Sequence, residues 1–141
     1  MKGVTRVLVV EDDPTFLAIT VSVLRKAGYS AVPASSAEQA LEIFGTTPVD
    51  VVLSDAVMPG LQGPELLEII RRTEPGTALL LMSASQQVPA TRVTFLRKPF
   101  RAADLIEAIE RTLAHARKVN GIPAHAELAA AVKTSSAHSS D

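Results

Sequence analysis

The chain has 141 residues, of which 47% are hydrophobic and 21% are charged. A length of about 150 residues is typical of one domain, so we predict a single compact domain with a sizeable core. The absence of cysteine excludes disulfides, thiolate zinc sites and cysteine nucleophiles, and it favours a reducing, cytoplasmic setting. A formal net charge of −1 provides no field of one sign that would attract nucleic acid or an anionic membrane, so we expect neither as a direct partner.

The first predicted unit is a strand, an acidic turn and a helix. Residues 7–10 form a continuous, mostly β-branched apolar run, which is typical of a strand buried on both faces and too short for a signal peptide or membrane span. Acidic residues 11–13 follow this strand directly. Pro14 suits the first turn of a helix that has Asp13 as its N-cap, and Gly28 is expected to stop that helix.

The same alternation continues along the chain. Residues 29–34 predict a weak strand. Ser35 and Ser36, followed by Glu38 and Gln39, then resemble a capping box that opens a helix through Phe44, and Gly45 is expected to close that helix. Residues 49–53 predict another buried strand. A loop rich in proline and glycine follows, and Pro64 starts the next helix.

The last part of the predicted domain contains two strands and a helix. Residues 78–82 predict a fourth buried strand, residues 93–96 a short fifth strand, and residues 101–118 the final helix. The segment 85–91 between these two strands has no helical period. Five strands separated mainly by helices indicate an α/β fold with a doubly wound parallel sheet.

The composition changes to alanine and serine from residue 119. We therefore predict one domain over residues 1–118 and an Ala/Ser-rich tail over residues 119–141. The tail is expected to be partly disordered, or to form a short helix over residues 124–133, because about ten residues make a marginal helix without packing. We expect no DNA-binding output domain in these 23 residues.

Polar side chains stand at the carboxyl ends of four predicted strands. Glu11 and Asp12 follow the first strand, Asp55 the third, Ser83 the fourth and Lys98 the fifth. In such a sheet these ends meet at one edge, where a site forms. Clustered carboxylates repel one another unless a cation lies among them, and oxygen ligands with room for water favour Mg²⁺. A lysine and a serine add donors for a phosphoryl group, so the set predicts phosphoryl transfer onto a carboxylate.

Each of these residues taken alone has a simpler interpretation. The acidic turn is most often a helix cap, Asp55 another cap, Ser83 a loop hydroxyl and Lys98 a solvated lysine. The interpretation as a site depends on all of them occurring together at strand ends in one small domain.

Four motifs together resemble the receiver domain of two-component response regulators, over about residues 5–118. They are VLVVEDDP (7–14), DVVLSDAVMPGLQG (50–63), LLLMSA (79–84) and FLRKPF (95–100). The resemblance implies a flavodoxin-like fold, with a five-stranded parallel sheet in the order 2-1-3-4-5 and flanking helices. It also implies a cis peptide bond between Lys98 and Pro99.

The resemblance also assigns a metal site and a phosphoacceptor. It implies that Asp55 is the residue that accepts the phosphoryl group. Asp12 and Asp55 would hold Mg²⁺ together with the backbone carbonyl of Val57, and Glu11 would act mainly through a metal-bound water. The phosphoryl donor would be a phosphohistidine on a sensor histidine kinase or a phosphotransfer protein.

Ser83 and Lys98 would each bind a phosphoryl oxygen, and Ser83 and the aromatic residue Phe95 would form the switch that an output protein reads. The chain departs from the family pattern in three ways. The interval from Ser83 to Lys98 is short, so the family's fourth helix is expected to be truncated or missing. Phe95 lacks the hydroxyl of the usual switch tyrosine, and Val57 offers no polar group to a hydrolytic water.

The favoured interpretation is a signalling module, monomeric or weakly dimeric, that catalyses only its own phosphorylation and dephosphorylation. One alternative is a scaffold that keeps the receiver fold but does not switch, which the missing helix would favour. Another is a Mg²⁺-dependent phosphatase of the haloacid dehalogenase type. That class requires a D-x-D signature, and Val57 occupies the position of its second aspartate.

Overall fold

A computed structural model of the chain describes residues 3–84 and 93–120. These residues form five strands and four helices. In chain order the elements are β1 (Arg6–Val10), α1 (Pro14–Lys26), β2 (Ser30–Ala34), α2 (Ala37–Thr46), β3 (Val51–Asp55), α3 (Gly63–Thr73), β4 (Ala78–Ser83), β5 (Thr94–Arg97) and α4 (Ala102–Asn120). Neighbouring strands pair in parallel, and the sheet order is β2-β1-β3-β4-β5. The predicted fold class and strand order are confirmed.

The sheet separates two hydrophobic layers. Along β1, Val7 and Val9 pack on the side of α1 and α4, whereas Leu8 and Val10 pack on the side of α2 and α3. This alternation follows from the two-residue period of a strand. Because helices cover both faces, β3 and β4 are buried along their whole lengths. Continuous apolar runs are therefore the sequence pattern of this sheet.

Helix ends follow the expected capping signals, with one correction. The Thr15 amide donates to the Asp13 side chain at 3.0 Å, so Asp13 caps α1 as predicted. Helix α2 continues past Phe44 to Thr46, and the prediction that it ends before Gly45 is wrong. Thr47 is extended and precedes Pro48, whose ring disfavours a helical conformation in the residue before it. The proline therefore ends this helix.

The bounds of β3 and α4 differ from the predicted ones by one or two residues. The predicted strand over 49–53 lies at Val51–Asp55, because β3 pairs with β1 from Val51 onwards and with β4 as far as Asp55. Asp55 is thus the last residue of β3. Helix α4 begins one residue after the predicted start and runs to Asn120, two residues past the predicted end.

The truncated or missing helix predicted between β4 and β5 falls on residues 85–92, which lie outside the described residues, as does the predicted short helix over 124–133. Among the described helices, none combines the length and apolar character that a membrane crossing requires.

Candidate functional site

The carboxyl edge of the sheet carries the predicted site residues. Glu11 directly follows β1, and Asp55 and Ser83 end β3 and β4. The Lys98 amide donates to the carbonyl of Ser83 at 2.8 Å, which joins the ends of β4 and β5. The peptide bond between Lys98 and Pro99 is cis, as predicted. Strand register therefore brings together residues that are up to 87 positions apart in the chain.

Three carboxylates form an acidic cluster at this edge. One oxygen each from Glu11, Asp12 and Asp55 lies within 4.8 Å of the others. Glu11 and Asp55 are buried, with 2% and 8% of their surfaces exposed, whereas Asp12 is exposed. The acidic cluster is therefore shielded from solvent at Glu11 and Asp55 and accessible to solvent at Asp12. Oxygen ligands with one open side suit Mg²⁺, which usually keeps several of its waters, so the residues present fit this ion.

Lys98 lies against the acidic cluster. Its Nζ is 2.8 Å from Glu11 Oε1 and 3.1 Å from Asp55 Oδ1, and only 18% of the side chain is exposed. The same ammonium lies 4.3 Å from the centroid of the Phe16 ring on α1, which is within the range of a cation–π contact. Phe16 in turn packs edge-on against Phe100. Lys98 is therefore a partly buried partner of two carboxylates and is not a solvated lysine.

Burial controls the electrostatics of this site. Desolvation raises the pKa of Glu11 and of Asp55 above their ordinary values, and the hydrogen bonds from Lys98 oppose that rise without cancelling it. For Lys98, burial alone would lower the pKa, but the two carboxylates outweigh it and the pKa is raised. The single Lys98 ammonium thus offsets only part of the free-energy cost of burying these carboxylates close together. A cation at the open side would reduce that cost further.

The two residues to which the resemblance assigns a switch role lie on the last two strands. Ser83 is 4% exposed at the end of β4. Phe95 lies on β5 opposite Leu81, is half-buried and packs against the hydrophobic layer of α2 and α3. Val57, two residues after Asp55, has a 69% exposed side chain next to the site.

Two residues that shape the site were not predicted from the sequence. Gly63 begins α3 so close to β3 that a Cβ atom at this position would overlap the carbonyl oxygen of Asp55. Its position directly before Pro64, at a predicted helix start, is a signal that could have drawn attention to it. Phe16 had no such signal, because its contact with Lys98 joins residues from opposite ends of the domain.

Comparisons with known proteins agree with this geometry. A family model described as the response regulator receiver domain matches residues 7–110. The chain is 34% identical to the sensor kinase CckA of Brucella abortus, over 80% of this chain and 13% of that protein. It is 33% identical to the transcriptional regulatory protein GlrR of Escherichia coli, over 75% of this chain and 26% of that protein. The chain thus spans about a quarter or less of the length of these two relatives.

A solved structure is also similar. The response regulator protein TrrA from Thermotoga maritima, in complex with Mg(2+)-BeF, has a TM-score of 0.73 and 27% identity to this chain. The match covers 77% of this chain and 99% of that one.

Proposed function

Because the chain belongs to the response regulator receiver domain family, we propose that Asp55 accepts a phosphoryl group from the phosphohistidine of a sensor histidine kinase or phosphotransfer protein. The observation that carries this proposal is the acidic cluster of Glu11, Asp12 and Asp55 with the Lys98 ammonium against it. A carboxylate oxygen attacks phosphorus, the bond from phosphorus to the imidazole nitrogen breaks, and the imidazole leaves. The phosphoryl oxygens carry negative charge close to the attacking carboxylate throughout this step, so the adjacent ammonium favours it.

Several contacts favour Asp55 over its neighbours as the nucleophile. Both oxygens of Glu11 are engaged, Oε1 by Lys98 and Oε2 by the amide of Asp13 at 3.1 Å. Asp12 is exposed, so no packing orients it. Asp55 sits at the rigid end of a fully buried strand, with one oxygen against Lys98. A nucleophile held on a rigid element reacts with less loss of orientational freedom.

The acidic cluster supports a Mg²⁺ site in the same place. In this proposal Asp12, Asp55 and the backbone carbonyl of Val57 hold the ion directly, and Glu11 acts mainly through a bound water. When bound, Mg²⁺ would supply positive charge that reduces the repulsion between the nucleophilic carboxylate and the phosphoryl oxygens. Binding of Mg²⁺(BeF) by the similar protein TrrA is consistent with this assignment.

Ser83 and Lys98 are proposed to bind the phosphoryl oxygens. The amide of Lys98 donates to the carbonyl of Ser83, which links the ends of β4 and β5. Displacement of either side chain on phosphoryl binding would therefore move both strands. Phe95 lies on β5 and would report that movement to an output protein. We further propose that the module acts in the cytoplasm as a monomer or weak dimer, without binding nucleic acid or membrane itself.

Labelling by a small-molecule phosphodonor tests the proposed function. With Mg²⁺ present, the intact mass of the protein should increase by one phosphoryl group, and a chelator added beforehand should reduce labelling to background. No labelling under either condition would favour the non-switching scaffold instead. Steady turnover of an added phosphomonoester would favour the phosphatase alternative.

Val57→Asn should shorten the lifetime of the phosphorylated protein. The apolar, exposed Val57 side chain cannot orient a hydrolytic water at the site. An amide at this position could orient a water but could not take its proton. We therefore expect roughly tenfold faster phosphate loss, which is less than the rate increase of about 10²-fold or more that a general base provides. Phosphate release from labelled protein after donor removal measures this rate. Val57→Leu, which keeps the position apolar, is the matched control, and equal rates in Val57→Asn and wild type would contradict the prediction.

A further inference from the structure

One side-chain amide closes the loop between β3 and α3. The Met58 amide donates to Gln62 Oε1 at 3.3 Å, and Gln62 Nε2 donates to the carbonyl of Met58 at 2.6 Å. The same Nε2 is 3.3 Å from the carbonyl of Gly60. Gln62 is itself held at the start of α3, where its backbone amide donates to Glu65 Oε1 at 2.9 Å. The Gln62 side chain therefore binds both the N–H and the carbonyl of Met58, and we call this pair of hydrogen bonds the clamp.

This clamp determines the direction of the preceding carbonyl. The Val57 carbonyl and the Met58 N–H belong to one planar peptide unit, which is trans, so they point in opposite directions. Once Gln62 holds the Met58 N–H, the orientation of the Val57 carbonyl is determined as well. The buried Met58 side chain, which is 2% exposed, anchors the same residue from the core.

The other side of Val57 is also held in place. The Ala56 amide donates to the carbonyl of Met82 on β4 at 2.8 Å, and the carbonyl of Ala56 accepts from Gly63 at 3.2 Å. Val57 thus lies between two residues whose backbone groups are both engaged. Its own side chain is exposed and contributes no comparable anchor.

We infer that Gln62 is a positioning residue for metal binding: its side-chain amide orients the Val57 carbonyl toward the Mg²⁺ held by Asp12 and Asp55. This inference rests on the proposed function, because it takes the Val57 carbonyl as a direct ligand of that metal. Outer groups that orient direct ligands typically affect metal affinity by about 10- to 100-fold. Gln62 acts on a backbone ligand that is already partly fixed, so we expect the lower end of that range.

Two substitutions test the clamp in the full chain. Gln62→Met keeps the length of the side chain but removes its three hydrogen bonds, two to Met58 and one to Gly60. Gln62→Ser supplies a preferred helix cap but is too short to bind both groups of Met58. Mg²⁺ titration followed by backbone amide NMR shifts should give a dissociation constant about tenfold higher than wild type in both variants. In the metal-free variants, hydrogen exchange of the Met58 amide should be faster than in wild type.

Gln39→Met is the matched control. Gln39 Oε1 accepts from the amide of Ser35 at 2.6 Å and from its hydroxyl at 3.1 Å, so this variant removes comparable hydrogen bonds in the first turn of α2. Its Mg²⁺ affinity should equal that of wild type. Unchanged affinity in both Gln62 variants, or an equal loss in Gln39→Met, would overturn the inference and leave the proposed function standing. A wild-type protein that binds no Mg²⁺ would overturn both.

Discussion

Asp55→Asn protein will not be labelled by a phosphohistidine donor or a small-molecule phosphodonor. The substitution replaces the nucleophilic carboxylate with an amide of similar shape, so the reaction loses its acceptor while the packing at the end of β3 is retained. Labelling should fall below detection, as measured by intact mass after incubation with donor and Mg²⁺.

The stability of the same variant should depend on pH in a defined direction. The folded-state pKa of Asp55 is raised, mainly by burial, so its stabilising contribution is complete below an ordinary pKa of about 4 and is lost as the pH rises through the folded-state value. Asparagine does not ionise, so it avoids this loss. In buffer without Mg²⁺, the melting temperature of the variant should match wild type in acid and should equal or exceed it at neutral pH.

Asp13→Asn is the control for replacing an aspartate near the site by an asparagine. Asp13 stands beside the acidic cluster as the N-cap of α1, and asparagine is an equally good cap. This variant should be labelled at the wild-type rate. If Asp55→Asn protein still accepts phosphate normally, another residue is the nucleophile and the proposed assignment is wrong.

Gly63→Ala should destabilise the fold strongly although it adds a single methyl group. That group would overlap the backbone oxygen of Asp55 and would lie 2.9 Å from the Cα atom of Ala56, and neither backbone atom can rotate away. Forced overpacking of this kind costs about 3 kcal/mol. Separation of α3 from β3 would also displace Asp55, so phosphodonor labelling should slow as well. Urea unfolding and the labelling rate measure the two effects.

Gly45→Ala is the opposite control within the same protein. Gly45 lies exposed near the end of α2, and a Cβ atom there meets nothing within 4 Å. Alanine is the better helix former, so the free energy of unfolding should increase by roughly 0.5–1 kcal/mol. Equal unfolding free energies for Gly63→Ala and Gly45→Ala would contradict the close approach of α3 to Asp55.

Much of the fold could be predicted because its signals are local. The run at residues 7–10 is buried on both faces, so its continuous apolar character identifies a strand without knowledge of its neighbours. The caps of α1 and α2 lie at Asp13 and Ser36, where the capping patterns predict them. Errors arose where two signals competed. At the end of α2, Gly45 predicts a stop after Phe44, but the helix continues to Thr46 and ends where Pro48 restricts the residue before it.

The order of the residues is enough to predict which of them lie at the carboxyl edge of the sheet, because a parallel sheet brings the ends of its strands together whatever its detailed packing. Which atoms meet at that edge depends on tertiary contacts. Contacts of Lys98 with Glu11 and Phe16 depend on the register of β5 against β4 and on the packing of α1. Local sequence patterns do not predict such distances, since each contact joins segments that become neighbours only when the whole sheet has assembled.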